Sequence, residues 1–114
     1  MSDQQVPAAL DRTLVALADP TRREILDRLS QGDARVTDIA SHFPISLNSV
    51  SKHIKMLERA DLIERRVVGR DHILRISPEP LNAVQGWMNR KRAFWAAQLE
   101  ALDELLTKGQ QNKN

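Results

Sequence analysis

The chain contains no cysteine. Disulfides, thiolate metal sites and cysteine redox sensing are thereby excluded. No apolar run approaches the roughly 20 residues that a membrane-spanning helix needs. The opening MSDQQVPAAL lacks the basic-then-apolar order of a signal segment. The expected location is therefore cytoplasmic, with no membrane partner. The three histidines, His42, His53 and His72, have no metal-site spacing. There is no glycine-rich phosphate loop, no G-x-S-x-G, no H-E-x-x-H and no pair of carboxylates in a polar cleft setting. Asp103 and Glu104 read as solvated. Neither an enzyme nor a cofactor or metal site is expected, and no internal repeat is evident.

What is present is ordinary in amount and uneven in placement. The chain has 114 residues, 41% of them hydrophobic and 28% charged. That composition predicts one soluble domain with a modest core. The formal net charge is +2, but the segment Ser46–Arg75 carries +3 and the rest −1. A local excess of this kind is the mild electrostatic footprint of a nucleic-acid surface.

The centre of that segment, SLNSVSKHIKMLERA (46–60), reads as one amphipathic helix. Ser46 is a natural N-cap, because its hydroxyl can accept an orphan N–H of the first turn. Val50, Ile54 and Leu57 recur at i, i+4 and i+7 and form a buried stripe. Asn48, Lys52, Lys55 and Arg59 fall on the opposite face, flanked by Ser49 and Met56. Small polar residues near the start suit base edges in a major groove, and lysines can reach bases or phosphates. An ordinary solvated face would look the same, so the neighbouring elements decide.

Leu10, Leu14 and Leu17 keep a helical period, predicting a first helix over 8–18 after a frayed arm, 1–7. Asp19-Pro20 supplies a cap and a favoured first residue for a second helix, with Ile25, Leu26 and Leu29 inward and Gly32 at its end. Thr37 can cap a short third helix, DIASHF, and Pro44 forces a turn. A short helix, a tight turn and an amphipathic helix make a helix-turn-helix. Alternation then replaces the helical period. Residues 62–68 and 72–76 read as two strands around the loop Gly69-Arg70-Asp71, so 62–76 forms a wing. Arg70 at its tip, with Arg66 and His72 nearby, could touch phosphates or a minor groove. A plain solvated hairpin is the alternative.

Ser77-Pro78 opens a last helix over 78–107, followed by a disordered polar tail, 108–114. Leu81, Met88, Trp95 and Leu102 repeat every seven residues beside Trp87, Phe94 and Ala101. This stripe, with Leu99 and Leu106, is wider than one small core needs. It predicts a second copy of the same helix as partner. An apolar ligand pocket around Trp87, Phe94 and Trp95 is the competing use. The whole forms a mainly α fold with a small β hairpin, a single domain over 8–107.

Leu17–Leu26 (LADPTRREIL), Asp38–Ile63 (DIASHFPISLNSVSKHIKMLERADLI) and the following RRVVGRDHILRIS resemble the ArsR-type winged helix-turn-helix transcription regulators, in their cysteine-free, metal-independent branch. The resemblance implies a homodimeric repressor that binds a pseudo-palindromic operator on double-stranded DNA, often beside its own gene. It places base reading on Asn48, Ser49, Ser51, Lys52 and His53, and a wing contact near Arg70. From the residues themselves His53 fits a packed structural role better. The resemblance assigns the dimer contact to Leu10, Leu14, Trp95, Leu99 and Leu102, to which the wide stripe adds Trp87 and Phe94. The family's metal sites use cysteines in the third helix, or Asp, His and Glu on the last helix. Here VTDIASHF has no thiolate and the last helix has no histidine. The family's usual Ala-Gly-Leu after the reading helix is Ala60-Asp61-Leu62. The rival expectations are a winged helix that docks protein and a small-molecule-responsive sensor of the same family. Nothing in the sequence names an effector.

Overall fold

The computed structural model describes residues 8–112, with side chains as far as Gly109. The expected arm, 1–7, and the last two residues of the expected tail lie outside the described residues. The elements in order are α1 (Ala8–Leu17), α2 (Pro20–Leu29), β1 (Ala34–Arg35), α3 (Val36–Ala40), α4 (Leu47–Arg59), β2 (Ile63–Val68), β3 (Asp71–Ile76) and α5 (Glu79–Asn112). The chain forms two compact units, one ending at Val84 and one beginning at Gln85. In the second unit the chain is one helix whose side chains from Met88 to Gly109 are all exposed.

The first unit is built on the anticipated stripes. Ile25, Leu26 and Leu29 of α2 meet Ile39 of α3 and Val50, Ile54 and Leu57 of α4, with Leu62, Ile63 and Leu74 closing the core. Burying a leucine or isoleucine side chain fully stabilises by about 1.5–3 kcal/mol, so this cluster determines how α4 is held.

Three details differ from the sequence expectation. The third helix starts at Val36, with Arg35 as its uncapped first neighbour and Thr37 inside it. The cause is β1, a strand of two residues that pairs with β3 (Ala34↔Leu74, Arg35↔Ile73) and delivers the chain extended to Val36. The sheet therefore has three strands, in the order β1-β3-β2. The wing loop has two residues, not three, since Asp71 pairs with Val68. Gly69 takes φ +61 there, which a tight hairpin turn requires and a side chain resists. Finally, α5 continues to Asn112 and does not stop near Lys108-Gly109. Gly109 is absent from the described glycines with positive φ, so it forms no left-handed stop.

The exit from α4 is tightly specified. Asp61 N–H donates to the Glu58 carbonyl and Leu62 N–H to the Leu57 carbonyl, both at 3.0 Å. This is a Schellman closure, and its paired apolar residues, Leu57 and Leu62, are both fully buried. Asp61 occupies the left-handed position, with φ 58. Asp61→Gly is expected to raise stability by about 0.5–1 kcal/mol, because glycine removes the Cβ clash. Urea denaturation of the two proteins measures it; an unchanged midpoint would mean that aspartate bears no strain here.

Candidate nucleic-acid interface

Helix α4 begins at a cap that also shapes its surface. Ser46 Oγ accepts the Ser49 N–H at 3.1 Å and donates to Ser49 Oγ at 3.0 Å. The Ser46 hydroxyl is thus committed to the helix, while Ser49 keeps its own hydroxyl proton to donate. Asn48, Lys52, Lys55 and Arg59 are exposed, and Ser49 and Ser51 are half-buried. Arg66 and Arg70 are exposed on the wing. Among the described residues none of Lys52, Lys55, Arg59, Arg66 and Arg70 is in an ion pair.

His53 does not belong to this face. Its Nδ1 lies 3.2 Å from Arg22 Nη1 and 3.7 Å from Asp19 Oδ2. Arginine has only donors, so in this contact Nδ1 accepts and the ring proton sits on Nε2. The base-reading role for His53 is therefore replaced by a structural one, pinning α4 to the start of α2.

Arg22 is the hub of that pin. It is 8% exposed. Its Nε donates to the Ala16 carbonyl at 2.8 Å and its Nη2 to the Val15 carbonyl at 3.0 Å. Its Nη1 also reaches Met56 Sδ at 3.4 Å. Arg23 Nη1 takes the Leu17 carbonyl at 2.8 Å. One guanidinium thus caps the end of α1 and binds α4. Sequence reasoning passed over Arg22, although a signal was there: it stands at i to Ile25, Leu26 and Leu29 and so lies on the buried stripe of its own helix.

Asp19 completes the joint by accepting the Arg22 N–H at 3.0 Å. That hydrogen bond holds the Asp19 carboxyl below the usual carboxylate range against desolvation, with the charge of Arg22 and the Thr21 N–H adding to it. A folded-state pKa below the unfolded one gives stability that is present above the ordinary range and lost as pH falls through it. Asp19→Asn keeps the cap and removes the titration. We expect it to flatten the loss of stability between about pH 5 and pH 3, as read by urea midpoints. Parallel curves for the two proteins would show that Asp19 does not drive that loss.

The wing is attached to α4 by a second arginine. Arg65 Nη2 and Nε contact the two Glu58 carboxylate oxygens at 2.8 and 3.1 Å, and Nη1 meets His72 Nδ1 at 3.2 Å. The hydrogen bond to Glu58 raises the Arg65 pKa further. Arg65 and His72 are occupied in this way, while Arg66, Arg70 and Arg75 are exposed wing cations in no ion pair among the described residues.

In the second unit Phe94, Trp95, Leu99 and Leu102 are exposed, and Trp87 is half-buried. Of the α1 residues given a dimer role, Leu14 is half-buried and Leu10 already buried within the chain. Leu10 therefore acts mainly as a core residue. A group of three or more His, Cys, Asp or Glu placed to hold a metal does not occur among the described residues. No described helix is long and apolar enough to cross a membrane.

This architecture has relatives. Residues 17–66 match the helix-turn-helix domain family. An HTH-type transcriptional regulator of Mycobacterium tuberculosis is 35% identical over 96 residues, which are 84% of this chain and 87% of that protein. The transcriptional repressor SdpR of Bacillus subtilis is 37% identical over 79 residues, 69% of this chain and 88% of that protein. The crystal structure of an ArsR family transcriptional regulator aligns with TM-score 0.76 and 40% identity, covering 81% of this chain and 95% of that one. The solution structure of a homodimeric winged helix-turn-helix DNA-binding domain from Mycobacterium bovis aligns with TM-score 0.61 and 26% identity, covering 79% and 89%.

Proposed function

Since the chain belongs to the ArsR family of winged helix-turn-helix transcription regulators, we propose that it works as a homodimeric repressor of a pseudo-palindromic operator, one beside its own gene included. It is a DNA-binding regulator and not an enzyme. The observation that carries the finer reading is the α4 face. Asn48, Lys52, Lys55 and Arg59 are exposed on a helix held by the core and by the Arg22–His53 and Arg65–Glu58 contacts, and among the described residues its exposed cations are in no ion pair. Each subunit inserts α4 in a major groove, with Ser49 and Ser51 at its edge, while Arg66 and Arg70 meet the flanking backbone. Two-fold symmetry sets the half-sites about one helical turn, or a multiple of it, apart. Its place of action is with the DNA, in the cytoplasm. A winged helix that docks protein has no need of so many unpaired cations.

The homodimer of the Mycobacterium bovis relative and the exposed apolar side chains of α5 support the dimer. The test is binding to the DNA upstream of the protein's own gene over a salt series, with random duplex as control. Specific binding is expected to be about a thousandfold tighter or better. The slope of log affinity against log salt then counts the phosphates neutralised. Equal binding to both duplexes refutes recognition of that site.

Lys52→Ala is expected to lose about 1–3 kcal/mol at one base position, as a lysine reading guanine would. A uniform loss over all sequences makes Lys52 a phosphate contact, and no loss removes it from the interface.

A further inference from the structure

The stripe that buries α4 does not end where its burial ends. Val50, Ile54 and Leu57 are fully buried, yet Leu47 at the first helical position is 55% exposed and Ile45 in the preceding turn 41%. Ile45 stands directly before the cap, the position whose side chain commonly staples to the residue at Val50. That role accounts for part of its apolar surface. Nothing comparable accounts for Leu47. It sits between the cap Ser46 and the exposed Asn48, at the end of a recognition helix that enters the groove first.

A leucine there cannot donate or accept a hydrogen bond. Set against the polar edge of guanine, cytosine or adenine, it would strip water from groups and return nothing. The major groove carries one apolar group, the C5-methyl of thymine. We propose that Leu47 reads a thymine methyl in each operator half-site, beside the bases contacted by Asn48 and Lys52. The proposal rests on α4 being the recognition helix, and it adds a specificity determinant that makes no hydrogen bond. Leu47 thereby distinguishes thymine from cytosine by the methyl, with no hydrogen bond to the polar edge.

The probe is a duplex selected by the protein from a random-sequence pool, in which each thymine is replaced in turn by deoxyuridine. Uracil keeps every hydrogen-bonding group of thymine and lacks only the methyl. At one thymine per half-site the wild-type protein is expected to bind the uracil duplex about fourfold more weakly, the worth of one buried methyl. Leu47→Ala is expected to bind the thymine and uracil duplexes alike at that position, with an unchanged melting temperature because the side chain is exposed. A cytosine placed there should regain most of that factor when supplied as 5-methylcytosine. Two results overturn the proposal: no thymine at which the methyl matters to the wild type, or a full methyl effect that persists in Leu47→Ala. Failure to enrich any sequence is a separate outcome, which removes the recognition-helix reading and this proposal with it.

Discussion

Trp95→Glu combined with Leu99→Glu is expected to leave the protein monomeric and to weaken operator binding by about a hundredfold to ten-thousandfold. Trp95 is 54% exposed and Leu99 66%, and Met88, Phe94, Leu102, Leu105 and Leu106 are exposed on the same helix. Exposed apolar surface of this extent is characteristic of an interface. Carboxylates placed in it face like charges across a two-fold axis, where each is met by its own copy. The affinity loss follows from linkage. In a dimer the second half-site is bound intramolecularly, at an effective concentration that a monomer forfeits.

Sedimentation velocity reads the assembly state, and titration of the selected duplex reads the affinity. Because the substituted side chains are exposed in the single chain, the melting of the first unit is expected to change little in a monomeric comparison. A double variant that remains dimeric with unchanged operator affinity would move the dimer contact off this helix.

Arg22→Ala is expected to destabilise the fold by about 2–4 kcal/mol, since it removes several charge-assisted hydrogen bonds from a buried site. The guanidinium serves the Val15 and Ala16 carbonyls and His53 at once. Its loss leaves both carbonyls without this donor at the end of α1. It also frees the pin on α4, so DNA binding weakens beyond the effect of stability alone. Arg22→Lys is expected to recover little, because an ammonium cannot reproduce the planar fork. Denaturant unfolding gives the stability change. A loss below about 1 kcal/mol would show that water replaces the arginine at those carbonyls.

The course of α4 was legible in the residues themselves. Ser46 caps α4 as its hydroxyl and position predict, and Val50, Ile54 and Leu57 are buried as their spacing requires. Asp19-Pro20 opens α2 for equally local reasons. The exposure of Lys52, Lys55 and Arg59 follows from the same helical arithmetic. Leu47 shows where that arithmetic fails. Periodicity assigns it to the buried stripe, but the core stops one turn short of it.

His53, Arg65 and Arg22 mark the other boundary. In sequence each is a polar residue whose partner cannot be read from its neighbours. In the structure Arg22 and Arg65 turn inward or sideways to partners on other elements, and His53 accepts from Arg22, 31 positions away. The strand β1 is similar: two residues carry no period, and its pairing with β3 spans some forty residues.

The amino-acid sequence alone determined the starts of α2 and α4, the turn at Gly69, the apolar stripes and the site of excess positive charge. These depend on capping hydroxyls, backbone φ and spacing, which act within a few residues. Only the tertiary structure decided which cations remain outside ion pairs among the described residues and which are consumed in joints. A charged side chain has many possible partners within reach, and burial of the core selects one by bringing distant carbonyls, carboxylates and imidazoles to hydrogen-bonding distance.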